Sequence, residues 1–189
     1  LPDTARTAIF ATVGLSFLLF KILHMTIEAN SGTLGPVTFP TYLNYCLNFT
    51  TFAMGPIQRF QDYRSQWTGE TVALPQTIEA HVDAVNRILF GLFRVYVLGS
   101  LLEPFIMTYG SGTETAPLGT MLVQVYAFYF FLYFNFAGYC DIVIGFGSLL
   151  GVRPPENFNL PFLARNASDF WLRQHRSLTL WLTDYVFTP

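Results

Sequence analysis

From Thr115 to Cys140 the chain carries no charged side chain, and it stays apolar to Leu150 with Asp141 as its single ionisable carboxylate. About 20 apolar residues of helix suffice to cross the hydrocarbon of a bilayer. Leu118 to Leu150 therefore reads as a membrane-spanning helix. Its first half, MLVQVYAFYFFLYF, is almost wholly aromatic and aliphatic. Hydrophobic residues make up 52% of the chain and charged residues 12%, about half the charged share of an ordinary soluble domain. That is too little to clothe a water-facing surface. The 20 Phe and 10 Tyr suit lipid-facing helices and the interface belts of a membrane.

Two other stretches have the length of a crossing. Ala5 to Ile27 is the first; Lys21 near its end can snorkel to the interface, and His24 can bond to a neighbouring helix. Ile78 to Tyr109 is the second, with Arg87 and Arg94 on one face and Glu103 late. Between them, Asn30 to Pro40 (NSGTLGPVTFP) is a loop. Thr41 to Met54 is a short helix, re-entrant or crossing, with Asn44 and Asn48 at i,i+4 on one face. Gly55-Pro56 ends it, so Gly55 to Phe60 reads as a terminator rather than a binding loop, and Arg59 to Glu70 is polar and interfacial. Gly110 to Ala116 is a turn. Gly151 to Arg165, with Pro154, Pro155 and Pro161, is an irregular connector. A final helix is predicted from Ser168 to Val186, capped by Asn166 with Asp169 in its first turn. The expected fold is all-α: one partial transmembrane domain over residues 1–189, a polytopic helical bundle cut at both ends, lying multi-pass in the inner or plasma membrane.

Composition and motifs exclude several function classes. With a net charge of −2 and no basic stripe to track phosphates, no nucleic-acid partner is expected. No nucleophile elbow, P-loop, dinucleotide fingerprint or zinc spacing occurs, so no metal is expected. Cys46 and Cys140 are far apart in apolar stretches and read as packing residues.

The informative ionisable residues are few. His175 would share a helix face with Ser168, Trp171, Leu172, Leu178, Thr179 and Leu182, while Asp169, Arg173 and Arg176 form a charged stripe to one side. That places the imidazole on the apolar, bundle-facing side, as a structural histidine or as a proton-handling one. Asn135, Gly138, Asp141, Ile142 and Gly145 fall on one face. The glycines would admit a second backbone, and Asp141 is either a helix-packing partner or a functional acid. Arg153, Arg165, Arg173 and Arg176 make the last third locally basic, for anchoring at a cytoplasmic face or for an anionic acyl donor.

The run Asp169-Phe-Trp-Leu-Arg-Gln-His175-Arg-Ser-Leu-Thr-Leu-Trp-Leu-Thr-Asp-Tyr185 resembles the signature helix of the membrane-bound O-acyltransferase family, in its bacterial polysaccharide O-acetyltransferase branch. Three upstream blocks resemble the family's motifs in order: Phe52 to Phe60, Phe134 to Gly147, and Pro155 to Arg165. Asn135 stands where the family often has Asp, Leu172 and Gln174 replace Arg and Trp, and Thr183 replaces Arg. The resemblance implies a ring of helices around a tunnel. It implies acetyl transfer from a cytoplasmic thioester such as acetyl-CoA to hydroxyls of an exported polysaccharide, without a further cofactor. His175 would be the catalytic histidine, and Asn135, Asp141, Trp171 and Arg173 would contact substrate. Implied partners are membrane lipid, the polysaccharide acceptor and a periplasmic or extracellular acetylation protein. The family's second histidine lies beyond Pro189, so these residues alone are expected to be inactive. The alternatives are a proton- or ion-coupled transporter or channel using Asp141 and His175, and a scaffold for secretion partners.

Overall fold

The structure, a computed structural model, describes residues 3–52, 55–67, 77–107 and 117–188, with the side chains of residues 3–14 outside the description. Every regular element among the described residues is helical. Helix α1 (Asp3–Asn30) is 28 residues long, about 40 Å at 1.5 Å per residue. It ends at Gly32, whose φ of +73° closes the turn at the little cost glycine allows. Thr38 caps α2 (Phe39–Cys46) by accepting from Thr41 N–H at 3.5 Å.

The predicted helix from Thr41 to Met54 is broken in two. α2 stops at Cys46, and α3 (Phe49–Phe52) begins after Asn48. Asn48 Oδ1 accepts from Thr50 N–H and Oγ1 at 3.2 and 2.9 Å, the local capping bond that asparagine makes in preference to a helix interior. The break separates the two amides expected on one face: Asn44 is exposed and Asn48 is buried. Lys21 differs from expectation too. It does not snorkel; it is 1% exposed, and its ammonium donates to the carbonyls of Tyr45 at 2.9 Å and Cys46 at 3.4 Å. A cation at the C-terminus of α2 thus satisfies carbonyls the helix leaves open.

The segment after α3 is the second departure. Gly55, Pro56, Ile57 and Gln58 form an extended strap buried among helices. Tyr45 donates its hydroxyl to the Gln58 carbonyl at 2.7 Å, and Phe60 N–H donates to His24 Nε2 at 3.0 Å. The strap leads into α4 (Phe60–Trp67), whose Phe60 and Tyr63 pack with Tyr45, Cys46 and Met25 in one core cluster. The stretch expected to be interfacial therefore buries its aromatic side.

Helix α5 (Ile78–Phe93) continues through a π-helical turn (Arg94–Gly99) into α6 (Ser100–Met107), and α7 (Leu118–Leu149) packs along all three. Tyr109 and the predicted turn Gly110 to Ala116 lie outside the described residues, apart from the cap region at Pro117. Among the described residues two helices are long and apolar enough to cross a membrane, Ile78–Ile106 and Leu118–Leu149; α1, which contains the Ala5 to Ile27 stretch, has the length but is not one of them. Val82, Val85, Leu89, Phe90, Leu101 and Phe105 stand exposed on the first, an apolar surface far larger than a water-facing fold tolerates.

The seam between α5 and α7 depends on glycine. A Cβ on Gly138 would lie 2.7 Å from the Gly91 carbonyl oxygen, and one on Gly91 would lie 2.5 Å from that of Gly138. The backbones touch here because neither residue carries a side chain, the close approach by which helices associate in apolar surroundings. Gly138→Ala is expected to force the helices apart and cost about 1–3 kcal/mol, read as a lowered unfolding midpoint in detergent relative to Gly119→Ala, where a Cβ meets nothing.

Candidate functional site

The connector from Gly151 to Arg165 folds irregularly as expected, apart from one 3₁₀ turn (Pro161–Leu163). The final helix does not run from Ser168 to Val186. It is α8 (Ala167–Arg173), a break at Gln174 and His175, then α9 (Arg176–Leu182) and a π-helical turn (Thr183–Phe187). Asn166 caps α8 as predicted, accepting from Asp169 N–H at 2.8 Å, and Asp169 pairs with Arg173 at 2.7 Å. Beyond that the helical-face argument fails. Gln174 is extended and His175 is left-handed at φ 50°, ψ 49°, which costs an L-residue about 1–2 kcal/mol.

The connector holds this break open. Asn159 N–H donates to the Arg173 carbonyl at 2.9 Å, and Arg176 N–H donates to the Asn157 carbonyl at 2.8 Å. Asn157 Oδ1 accepts from Ser177 N–H at 3.1 Å and from Ser177 Oγ at 2.8 Å. Ser177 Oγ in turn accepts from Ile57 N–H at 2.9 Å, which draws the buried strap against α9.

His175 sits at the break with its ring edge-on to Phe136 of α7 at 4.9 Å between centroids and to Phe17 of α1 at 6.3 Å. Its Nε2 is buried and has no hydrogen-bond partner among the described residues. Burial lowers the imidazole from its ordinary 6.5 to about 4, since the charged form loses hydration that aromatic rings do not replace. At neutral pH His175 is thus uncharged, with a nitrogen able to accept a proton.

Asp141 lies elsewhere, in a cluster of charges. It pairs with Arg87 at 3.2 Å and with Arg94, so the two arginines share a face as expected. Arg87 also binds Glu156 with its two terminal guanidinium nitrogens, Nη1 and Nη2, at 2.6 and 2.5 Å. Two cations and two carboxylates balance, which permits charge within an apolar bundle. The cluster lines a cavity of about 170 Å³ together with Tyr133, Asn157 and Asn159. Asp141 is thus an ion-paired residue joining α7 to α5, the helix-packing alternative for it, and it faces this cavity.

The other predicted substrate contacts separate. Asn135 donates to the Phe131 carbonyl of its own helix at 2.8 Å. Trp171 is 58% exposed on α8, ahead of the break at Gln174 and His175. Arg173 is held by Asp169 and by the Asn159 carbonyl at 3.4 Å. Three residues at the break escaped sequence reasoning: Asn157, Ser177 and Ile57. The one available signal was an asparagine between Pro155 and Pro161, a residue type that bonds backbone in irregular segments.

Residues 8–189 match the family model described as "MBOAT, membrane-bound O-acyltransferase family". A teichoic acid D-alanyltransferase of Bacillus subtilis is 34% identical over 93% of this chain and 44% of its own length. Proteins named probable alginate O-acetylase are 30% identical in Pseudomonas aeruginosa, over 96% of this chain and 34% of theirs, and 29% identical in Azotobacter vinelandii, over 96% and 36%. The chain spans less than half the length of these relatives.

Two outcomes follow from the charges. Asp141→Leu leaves two guanidinium groups short of a partner and is expected to cost on the order of 3 kcal/mol; adding Arg94→Met should recover part of it, both read by thermal unfolding in detergent. For His175, the folded pKa lies below the ordinary one, so an unfolded chain takes up the proton first as pH falls. The stability held above pH 6.5 should be lost between there and about 4. His175→Gln should flatten that part of the stability–pH curve.

Proposed function

The chain belongs to the membrane-bound O-acyltransferase family, and from that premise we propose that it forms the middle part of an enzyme transferring an acyl group, specifically acetyl, from a thioester donor to hydroxyls of an exported polysaccharide. The observation that carries this reading is the half-buried His175 with its buried, unbonded Nε2, set at a helix break between Phe17 and Phe136. A left-handed histidine is a strained conformation that surrounding structure must enforce, and such strain gathers at functional sites.

The chemistry needs a proton acceptor out of water. The acceptor hydroxyl's oxygen bonds to the thioester carbonyl carbon while its proton passes to Nε2. The tetrahedral oxyanion then collapses, the carbon–sulfur bond breaks, and the thiolate leaves with the proton His175 returns. General base catalysis of this kind contributes about 10²–10⁴-fold, and holding both substrates in line supplies much of the remainder. Acetyl is chosen over D-alanyl on the relatives named for alginate O-acetylation, which cover 96% of the chain. Asn135, Trp171 and Arg173 would meet substrate away from the His175 ring, and Asp141 through its cavity. The protein would lie multi-pass in the inner or plasma membrane and hand its product to a partner on the far side. The transporter alternative fits less well, since a proton carrier needs a carboxylate free to change charge, and Asp141 is held by two guanidinium groups.

His175→Gly is the sharpest test. Glycine adopts the left-handed backbone freely, so the break should survive while the imidazole is gone. In the full-length protein, incorporation of labelled acetyl from acetyl-CoA into envelope polysaccharide is expected to fall by about 10²–10⁴-fold at unchanged protein level. Undiminished incorporation would overturn the role given to His175; transfer of D-alanyl but not acetyl would overturn the donor.

A further inference from the structure

We propose that Asn157 is a positioning residue for this reaction: it caps α9 from outside the helix and so leaves the His175 imidazole free for substrate. The proposal rests on the role given to His175 above. The first N–H groups of any helix lack intrahelical partners, and the side chain at the N-cap ordinarily satisfies one of them. His175 occupies that place in α9 yet makes no capping bond with its side chain. Asn157, eighteen residues upstream, does the work instead. Its carbonyl takes the Arg176 N–H, and its side-chain oxygen takes both the Ser177 N–H and the Ser177 hydroxyl.

The geometry leaves the amide no freedom. Asn157 is 0% exposed, so water cannot stand in for a lost bond. Both bonds to Ser177 require an acceptor, which orients the amide with Oδ1 toward α9, and Nδ2 then points at Cys140 Sγ at 3.6 Å. Ser177 Oγ accepts from Ile57 N–H on a lone pair and donates its own proton to Asn157 Oδ1. The chain of bonds has one direction: strap, serine, asparagine, α7. Were the cap supplied by residue 175 itself, its side chain would be folded back on the helix and unavailable to a substrate. Delegating the cap to the connector also ties the histidine's backbone to the element that lines the Arg87–Asp141 cavity.

Asn157→Ala removes the side-chain acceptor and keeps the backbone bond to Arg176. N157D keeps the acceptor oxygen and, out of water beside Asp141 and Glu156, is carried as the neutral acid, whose hydroxyl can stand in for the amide donor toward Cys140. Loss of a cap corresponds to about a tenfold rise in local opening. The test uses the full-length protein in detergent micelles, pulsed with diethyl pyrocarbonate, with modification of each histidine followed by mass spectrometry. The expected result is about a tenfold faster reaction at His175 in N157A, near-original protection in N157D, and no change at exposed His81 in either. In parallel, transfer of acetyl from acetyl-CoA should lose kcat in N157A with KM for acetyl-CoA unchanged, and regain it in N157D. Unchanged His175 reactivity in N157A, or a rise that N157D fails to reverse, overturns the proposal. If the unmodified protein transfers no acetyl group, the reading of the reaction fails while the modification rates still decide the role of Asn157.

Discussion

A helix interrupted in apolar surroundings strands backbone N–H and C=O groups that no water can reach, and each must find a partner within the protein. Everything distinctive about this chain follows from how that demand is met at Gln174–His175. The connector presents its own backbone at Asn157 and Asn159 to the two ends of the break, and the Asn157 amide and Ser177 hydroxyl take up what remains. The cost of a left-handed histidine is thereby offset by bonds at three neighbouring residues. The same solution recurs on a smaller scale at Asn48, whose side chain restarts a helix after α2, and at Lys21, which closes the end that α2 leaves open. Buried polar residues in this protein mostly serve interrupted backbone.

Paired charge and paired glycine join the remaining helices. α5 and α7 meet where Gly91 and Gly138 let the backbones touch. One turn further along α7, Asp141 meets Arg87 of α5 and Arg94 at the start of the π turn. Close backbone contact supplies dispersion that lipid tails would otherwise match, and the ion pairs penalise any other register by leaving charge unmatched. Glu156 extends the pairing to the connector. The element that holds the His175 break open is therefore itself moored to the spanning helices.

What could be read in the sequence was what depends on composition over a long window. α7 was predicted to within a residue of its ends, because a charge-free stretch of that length has few folds available. The shared face of Arg87 and Arg94, the glycine contact, the Asn166 cap and the Asp169–Arg173 pair depend only on helical spacing, and all four are present. The breaks were illegible. Apolar periodicity continues from α8 into α9 without a proline or glycine, so nothing local marks Gln174–His175 as non-helical; the partners that make the break possible lie at Asn157 and Asn159. Gly55–Phe60 was legible as a helix stop, but its burial depends on Tyr45 and Ser177, far off in the chain. The helical face that would join Trp171 to His175 is interrupted for the same reason, since a left-handed residue ends the helical register between α8 and α9.

The buried His24 and the half-buried His175 show why withdrawal from solvent by itself does not mark a site. Each is withdrawn from solvent among aromatic rings, His24 beside Tyr45 and Tyr185, His175 beside Phe17 and Phe136. His24 Nε2 accepts the Phe60 N–H and so fixes where the strap turns into α4; replacing that bond would orphan a backbone donor. His175 Nε2 accepts nothing, while the backbone on both sides of it is bonded with care. His24 also leaves one buried nitrogen, Nδ1, without a partner among the described residues, so what sets His175 apart is its left-handed backbone, which costs free energy and gains nothing for a residue retained for packing. The expense makes sense if the missing partner is a substrate hydroxyl, for which a preorganised acceptor in a dry pocket needs no rearrangement at the moment the proton moves.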